Sequence, residues 1–160
     1  MVFEQGNCVA VTQQMLDVAA AYTSVRDYEC DRGDLGAVVV FVGLVREFDN
    51  SLADGRLQIL RLQHYPELTE ASIHAIVEQA RSRWQLGGVL VQHRVGDLVP
   101  TDEIVVVVVG ARHRAEAFDA ARFLMDQLKT RVMLWKQVLN ADESKWVAFK
   151  QSDADAAGAW

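Results

Sequence analysis

Hydrophobic and polar positions change period several times along this chain, and each change predicts an element. Ala37 to Val42 is an unbroken, largely β-branched apolar run, which predicts a strand covered on both faces. Ile104 to Val109 repeats the pattern with five consecutive valines and predicts a central strand. Val89, Val91, His93 and Val95 alternate with Leu90, Gln92 and Arg94, as in a half-buried strand. Leu57 to Tyr65 alternates less regularly, with Leu60, Leu62 and His64 on one face, and also reads as strand. Helical spacing appears at Ile73, Ile76, Val77, Ala80 and Trp84, and again at Ala117, Ala121, Leu124 and Leu128. A first strand, Asn7 to Val11, precedes a helix with Thr12 as its cap and Met15, Leu16, Ala19 and Tyr22 on its stripe.

The boundaries carry their own chemistry. The acid-rich stretch Ser24 to Gly36 reads as a solvated connection. Past Gly43, the turn-forming Asp49-Asn50-Ser51 and Asp54-Gly55 predict a mobile loop or hairpin with Arg46 at its root. Pro66 ends a strand, Thr69 is placed to cap the next helix, and Gly87-Gly88 to close it. Lys129 closes the helix that starts after Gly110, where a cation interacts favourably with the helix dipole. Val132 to Val138 returns the chain to a sheet, and Lys145 to Val147 reads as the last strand. The expectation is one domain over residues 1–150, with 151–160 a flexible C-terminal tail.

Composition narrows the function classes. A chain of 160 residues with 51% hydrophobic and 24% charged content folds around a single sizeable core. Its net charge of -6 argues against nucleic-acid binding, which calls for a basic domain or stripe. Cys8 and Cys30 lack His or Cys neighbours at ligand spacing, so no metal is expected and the thiols suit a reducing compartment. No secretory signal opens the chain, which makes the cytoplasm the default. No apolar run approaches the roughly 20 residues of a membrane-spanning helix.

Against this acidic background, residues 110–136 hold six Lys or Arg and three acids, a local balance of +3. Gathered cations point to an anionic ligand. His113 and Arg114 follow a strand and open a helix, where backbone N–H groups favour anions; they suit a phosphate grip, or simply cap and solvate a loop. Lys129 and Lys136 are two of only four lysines, against twelve arginines. Each fits proton transfer or nucleophilic work as well as a solvated surface position. Arg46 can donate a fork of hydrogen bonds to phosphate or carboxylate. His64, His74 and His93 show no ligand spacing, and the sequence lacks a G-x-S-x-G elbow, a phosphate-binding glycine loop and an H-E-x-x-H pair.

Several ordered motifs carry a resemblance. They are Gly-Ala-Val-Val-Val-Phe-Val-Gly-Leu-Val-Arg at 36–46, Gln-His-Tyr-Pro-Glu-Leu-Thr at 63–69, His-Arg-Val-Gly-Asp-Leu at 93–98, His113-Arg114, and Leu-Lys-Thr-Arg-Val-Met-Leu-Trp-Lys at 128–136. Together they resemble the large, catalytic subunit of molybdopterin synthase from about Leu35 to Lys150. The resemblance implies an α+β hammerhead-type fold with a mixed or antiparallel sheet and packed helices. It implies a homodimer with a small ubiquitin-like subunit at each end, making a heterotetramer. The small subunit's C-terminal thiocarboxylate would give its sulfur to cyclic pyranopterin monophosphate, with no cofactor or metal. Lys129 and Lys136 would be catalytic, and Arg46, His113, Arg114, Lys136 and Lys150 would bind substrate, Lys150 completing the pocket across the dimer. Leu44 stands where that family commonly has Lys, Met133 where it has Pro, and Gln137 replaces a more polar continuation. The alternative reading is a divergent module that binds a Gly-Gly tail without completing synthesis.

Overall fold

The structure, a computed structural model, describes residues 1–28, 34–147 and 151–160. The valine run forms the strand that organises it. Strand β6 (Glu103–Ala111) lies between β4 (Leu86–Arg94) and β2 (Ala37–Leu44) and is antiparallel to both, while β1 (Asn7–Thr12) adds parallel to β4. Successive side chains of a strand point to opposite faces, so five valines serve two cores. Val105, Val107 and Val109 pack with Ile73 and Val77 of α2 (Pro66–Arg83) and with Phe123 and Leu124 of α3 (Arg114–Arg131). Val106 and Val108 pack with Ala21 and Val25 of α1 (Val18–Tyr28). Each fully buried valine contributes about 1.5 kcal/mol or more from area removed from water.

A second, antiparallel sheet has the order β5-β3-β7-β8, from β3 (Ile59–His64), β5 (Gly96–Leu98), β7 (Leu134–Leu139) and β8 (Ser144–Trp146). Its inner residues Leu60, Leu62, Leu98 and Val138 form a third core with Val45, Leu52, Leu57 and Val95. Mixed and antiparallel sheets with packed helices are the α+β class that the resemblance implies.

Several local expectations change, each for a physical reason. Thr12 ends β1 instead of capping a helix, and the Asp17 carboxylate accepts the Ala20 N–H at 2.9 Å to start α1. Pro66 does not end a strand so much as begin α2, at a helix position where its missing N–H costs nothing. Thr69 is therefore inside α2, fully buried, donating to the Met133 carbonyl at 3.3 Å. Gly87-Gly88 lies within β4, at a register irregularity between Leu86 and Val89. β4 is buried on both faces, because helices cover both sides of the sheet. Conversely β2, expected to be covered, is an edge strand with Val40 and Phe41 about two-fifths exposed in the single chain.

The loop after β2 is anchored at several points. Its root closes through Leu57 N to Glu47 O at 2.8 Å, Leu52 is buried, and Asn140 donates to Asp54 at 2.9 Å. Residues 151–160, expected as a flexible tail, form α4 (Gln151–Gly158) and dock on α3. Trp160 donates its indole N–H to Asp126 at 2.9 Å and packs edge-on against Trp84 and Phe123.

Candidate active site

Two glycines frame β2 and fix the positions of the cations at its ends. A Cβ on Gly36 would stand 2.2 Å from the Arg112 carbonyl oxygen, so only glycine allows this approach beside His113. A Cβ on Gly43 would meet Val105 Cγ1 at 2.8 Å, and the β2–β6 register shifts there before the chain turns out to Arg46. Val45 N donates to Asp102 O and Thr101 N to Val45 O, both at 2.9 Å, which holds Arg46 beside the Glu103 end of β6.

His113 and Arg114 follow the other end of β6. At about 3.3 Å per residue, the nine residues of β6 separate the two ends by roughly 30 Å. Within one chain, Arg46 cannot meet His113. Helix α3 packs on β6 and β2 and runs back from His113, its 18 residues covering about 27 Å. Lys129 in its last turn thus returns toward the Arg46 end. The chain then enters β7, whose Leu134 pairs with His64, and Lys136 pairs with Leu62. The structure brings Arg46, Lys129 and Lys136 to one end of the molecule and leaves His113 and Arg114, both exposed, at the other. Lys150 lies outside the described residues.

The two lysines have different anionic partners. Lys136 Nζ lies 3.3 Å from Asp49 Oδ2, with the two side chains 33% and 10% exposed. Burial opposes charge on Asp49, but the Ser51 hydroxyl and N–H and the Lys136 ammonium outweigh it and hold the carboxyl down to about 2. Lys129 Nζ lies 3.6 Å from Asp153 Oδ1 of α4 and is 57% exposed. Neither Asp49 nor Asp153 was singled out from sequence. Asp49 was hidden in a turn signature, and Asp153 in a tail without periodicity.

Beneath this end of the sheet, His93 is buried and its Nδ1 donates to the Arg94 carbonyl at 2.9 Å. Burial, with a smaller push from His64, lowers its pKa to about 4, which keeps the ring neutral. A groove of about 880 Å³ opens on the outer face of the second sheet, lined by Arg61, Gln63, Tyr65, Asp97, Trp135 and Trp146. Trp135 faces it, so the side chain of its neighbour Lys136 is directed to the opposite face. Among the described residues, no helix is long and apolar enough to cross a membrane.

This arrangement defines an α+β protein with three cations, Arg46, Lys129 and Lys136, directed toward one end. Residues 11–131 match the family described as MoaE protein, and the chain belongs to that family. It is 48% identical over 125 residues to the molybdopterin synthase catalytic subunit of Cereibacter sphaeroides, covering 78% of this chain and 82% of the relative. The molybdopterin cofactor biosynthesis protein E of Burkholderia multivorans superposes with a TM-score of 0.77 at 34% identity, covering 96% of each chain. A complex of subunits 1 and 2 of the molybdopterin-converting factor from Helicobacter pylori shares the fold, with a TM-score of 0.71 at 21% identity, covering 87% of this chain and 89% of that one.

Proposed function

We propose that this chain is the catalytic subunit of molybdopterin synthase, a sulfurtransferase of molybdenum cofactor biosynthesis. It takes sulfur from the thiocarboxylated C-terminus of a small ubiquitin-like subunit and delivers it to cyclic pyranopterin monophosphate. The observation that carries this reading is the return of α3, which gathers Arg46, Lys129 and Lys136 at one sheet end. Both reactants are anions, and the thiocarboxylate is already a nucleophile. The protein's work is to hold the two anions together, stabilise developing negative charge and move protons. Lys129, the more exposed lysine, is assigned proton movement, and Arg46 and Lys136 hold charge.

The separation of His113 and Arg114 from this cluster supports a homodimer in which each site draws on both copies. β2 is the open edge of its sheet and exposes Val40, Phe41 and Leu44. Ala37 pairs with Ala111, and Leu44 pairs with Glu103. A two-fold axis through the middle of β2 would set Arg46 of one copy against the Ala37–Ala111 end of the other, where His113 and Arg114 begin. The same contact would cover the edge and its apolar side chains. With a small subunit on each copy the assembly is a heterotetramer, working in the cytoplasm, and Lys150 is a further candidate for the shared pocket.

The test combines the purified chain, thiocarboxylated small subunit and cyclic pyranopterin monophosphate, and looks for molybdopterin. Tail binding without product would favour the second reading, a Gly-Gly-binding module. That reading draws on Leu44 and Met133, both about half exposed, which flank Arg46 and the two lysines without adding charge.

A further inference from the structure

Asp49 is fastened more tightly than a turn residue needs to be. Its N–H donates to Gly55 O at 2.8 Å, its carbonyl accepts Leu52 N–H at 3.1 Å, and its Oδ1 accepts Ser51 N–H at 3.0 Å. Its Oδ2 faces Lys136 Nζ at 3.3 Å. The loop around it is held too. Leu52 and Leu57 are buried in the third core, Ala53 N donates to Glu143, and Asn140 donates to Asp54. The last two bonds tie the loop to the connection between β7 and β8. Of the pair, the carboxylate is the fixed member. Lys136, on a flexible four-carbon stem, is the member whose position is set.

The geometry points to Asp49 as the positioning residue of Lys136. It aims the ammonium from the backbone of an anchored loop and masks it until an anionic reactant arrives. This rests on the reading of Lys136 as a site residue. Asp49 touches no reacting atom and acts only through that lysine. Asp49 follows Arg46 by three positions, so one loop sets the placement of two of the three cations at this end.

Asp49→Asn isolates the charge, since its amide oxygen still accepts the Ser51 N–H. The probe is a small acetylating reagent used at limiting concentration on the intact chain, with modification at Lys136 and Lys129 read separately by peptide mass. Lys136 should be acetylated several-fold faster in Asp49→Asn, with Lys129 unchanged as the internal control. In turnover, kcat should fall about tenfold while KM for the pyranopterin does not rise, because orientation is lost and charge is not. Asp49→Glu, which keeps the charge, should recover part of each effect. Equal acetylation of Lys136 in the wild type and Asp49→Asn, at equal melting temperatures, overturns the assignment. Because acetylation requires no catalysis, its outcome stands apart from whether the chain makes molybdopterin.

Discussion

Lys129 and Lys136 are seven residues apart and held by different physics. Lys136 is on a paired strand, and its counter-ion is a buried carboxylate wired into a turn. Lys129 is in the last turn of a helix, more than half exposed, and its counter-ion belongs to α4, a helix with no buried residue. An exposed ion pair at 3.6 Å is weak, worth about 0–1 kcal/mol before screening. Under the proposed function the difference is a division of labour: the lysine assigned proton movement is left free to change partner, and the one assigned to present charge is anchored.

Loss of Lys129 should break this comparison most severely. Lys129→Ala should lower turnover by about 10²- to 10⁴-fold, the usual contribution of a positioned proton-transfer group, with the melting temperature little changed. Arginine in its place keeps the charge but stays protonated, so Lys129→Arg should recover little activity. Recovery of most activity by Arg would reassign Lys129 to charge presentation and erase the contrast with Lys136.

Acid should weaken the lysine end through His93. Its folded pKa of about 4 lies below its ordinary 6.5, so the unfolded chain binds the proton first. The stability of the neutral buried ring is full above pH 6.5 and is lost as pH falls toward 4, by roughly 3 kcal/mol in all. Asp49 behaves in the same sense but lower, losing its contribution only as pH falls from 3.8 toward about 2. Chemical denaturation at pH 7, 5.5 and 4 should show the first loss, and His93→Gln, although less stable at pH 7, should flatten it. A wild-type profile flat between pH 7 and 4 would contradict it.

The elements most legible in the sequence were those whose side chains obey one period. The valine run announced β6, and the Ile73-to-Trp84 stripe announced α2, because burial dictates residue type position by position. What could not be read was pairing. An apolar run looks alike in the middle of a sheet and at its edge, so the pattern predicts β2 as covered where the single chain leaves it open. The cations were found by charge, but their distribution between two ends of β6 depends on strand direction and the return of α3. Asp49 was missed because Asp-Asn-Ser is also ordinary turn chemistry. α4 was missed because a short Ala- and Asp-rich segment has no stripe; it docks through Gln127 to the Ala157 carbonyl, the Lys129–Asp153 pair and the adjoining Trp160.

The proposed sharing of the site between copies predicts a complementation. Arg46→Ala and His113→Ala should each lose about 1.5 to 3 kcal/mol of binding, a tenfold to hundredfold effect. In a mixed dimer, one site would carry both defects and the other none. Random exchange gives half mixed dimers, so refolding the two variants together should restore about a quarter of wild-type activity. Absence of recovery, with exchange verified by mass, would confine each site to one chain and leave His113 outside it.

The smallest effect expected is at Asp153. If the Lys129 ion pair is a loose surface contact, Asp153→Asn should change the melting temperature little and kcat by no more than about five-fold, the equivalent of 1 kcal/mol. Salt should act in the same direction, since raising ionic strength screens an exposed pair at 3.6 Å more than one backed by a buried carboxylate. In wild type, the acetylation rate of Lys129 should therefore rise with salt while that of Lys136 stays nearly level. Equal salt sensitivity of the two lysines would mean that α4 grips Lys129 as firmly as the Asp49 loop grips Lys136, and the division of labour would lose its physical basis.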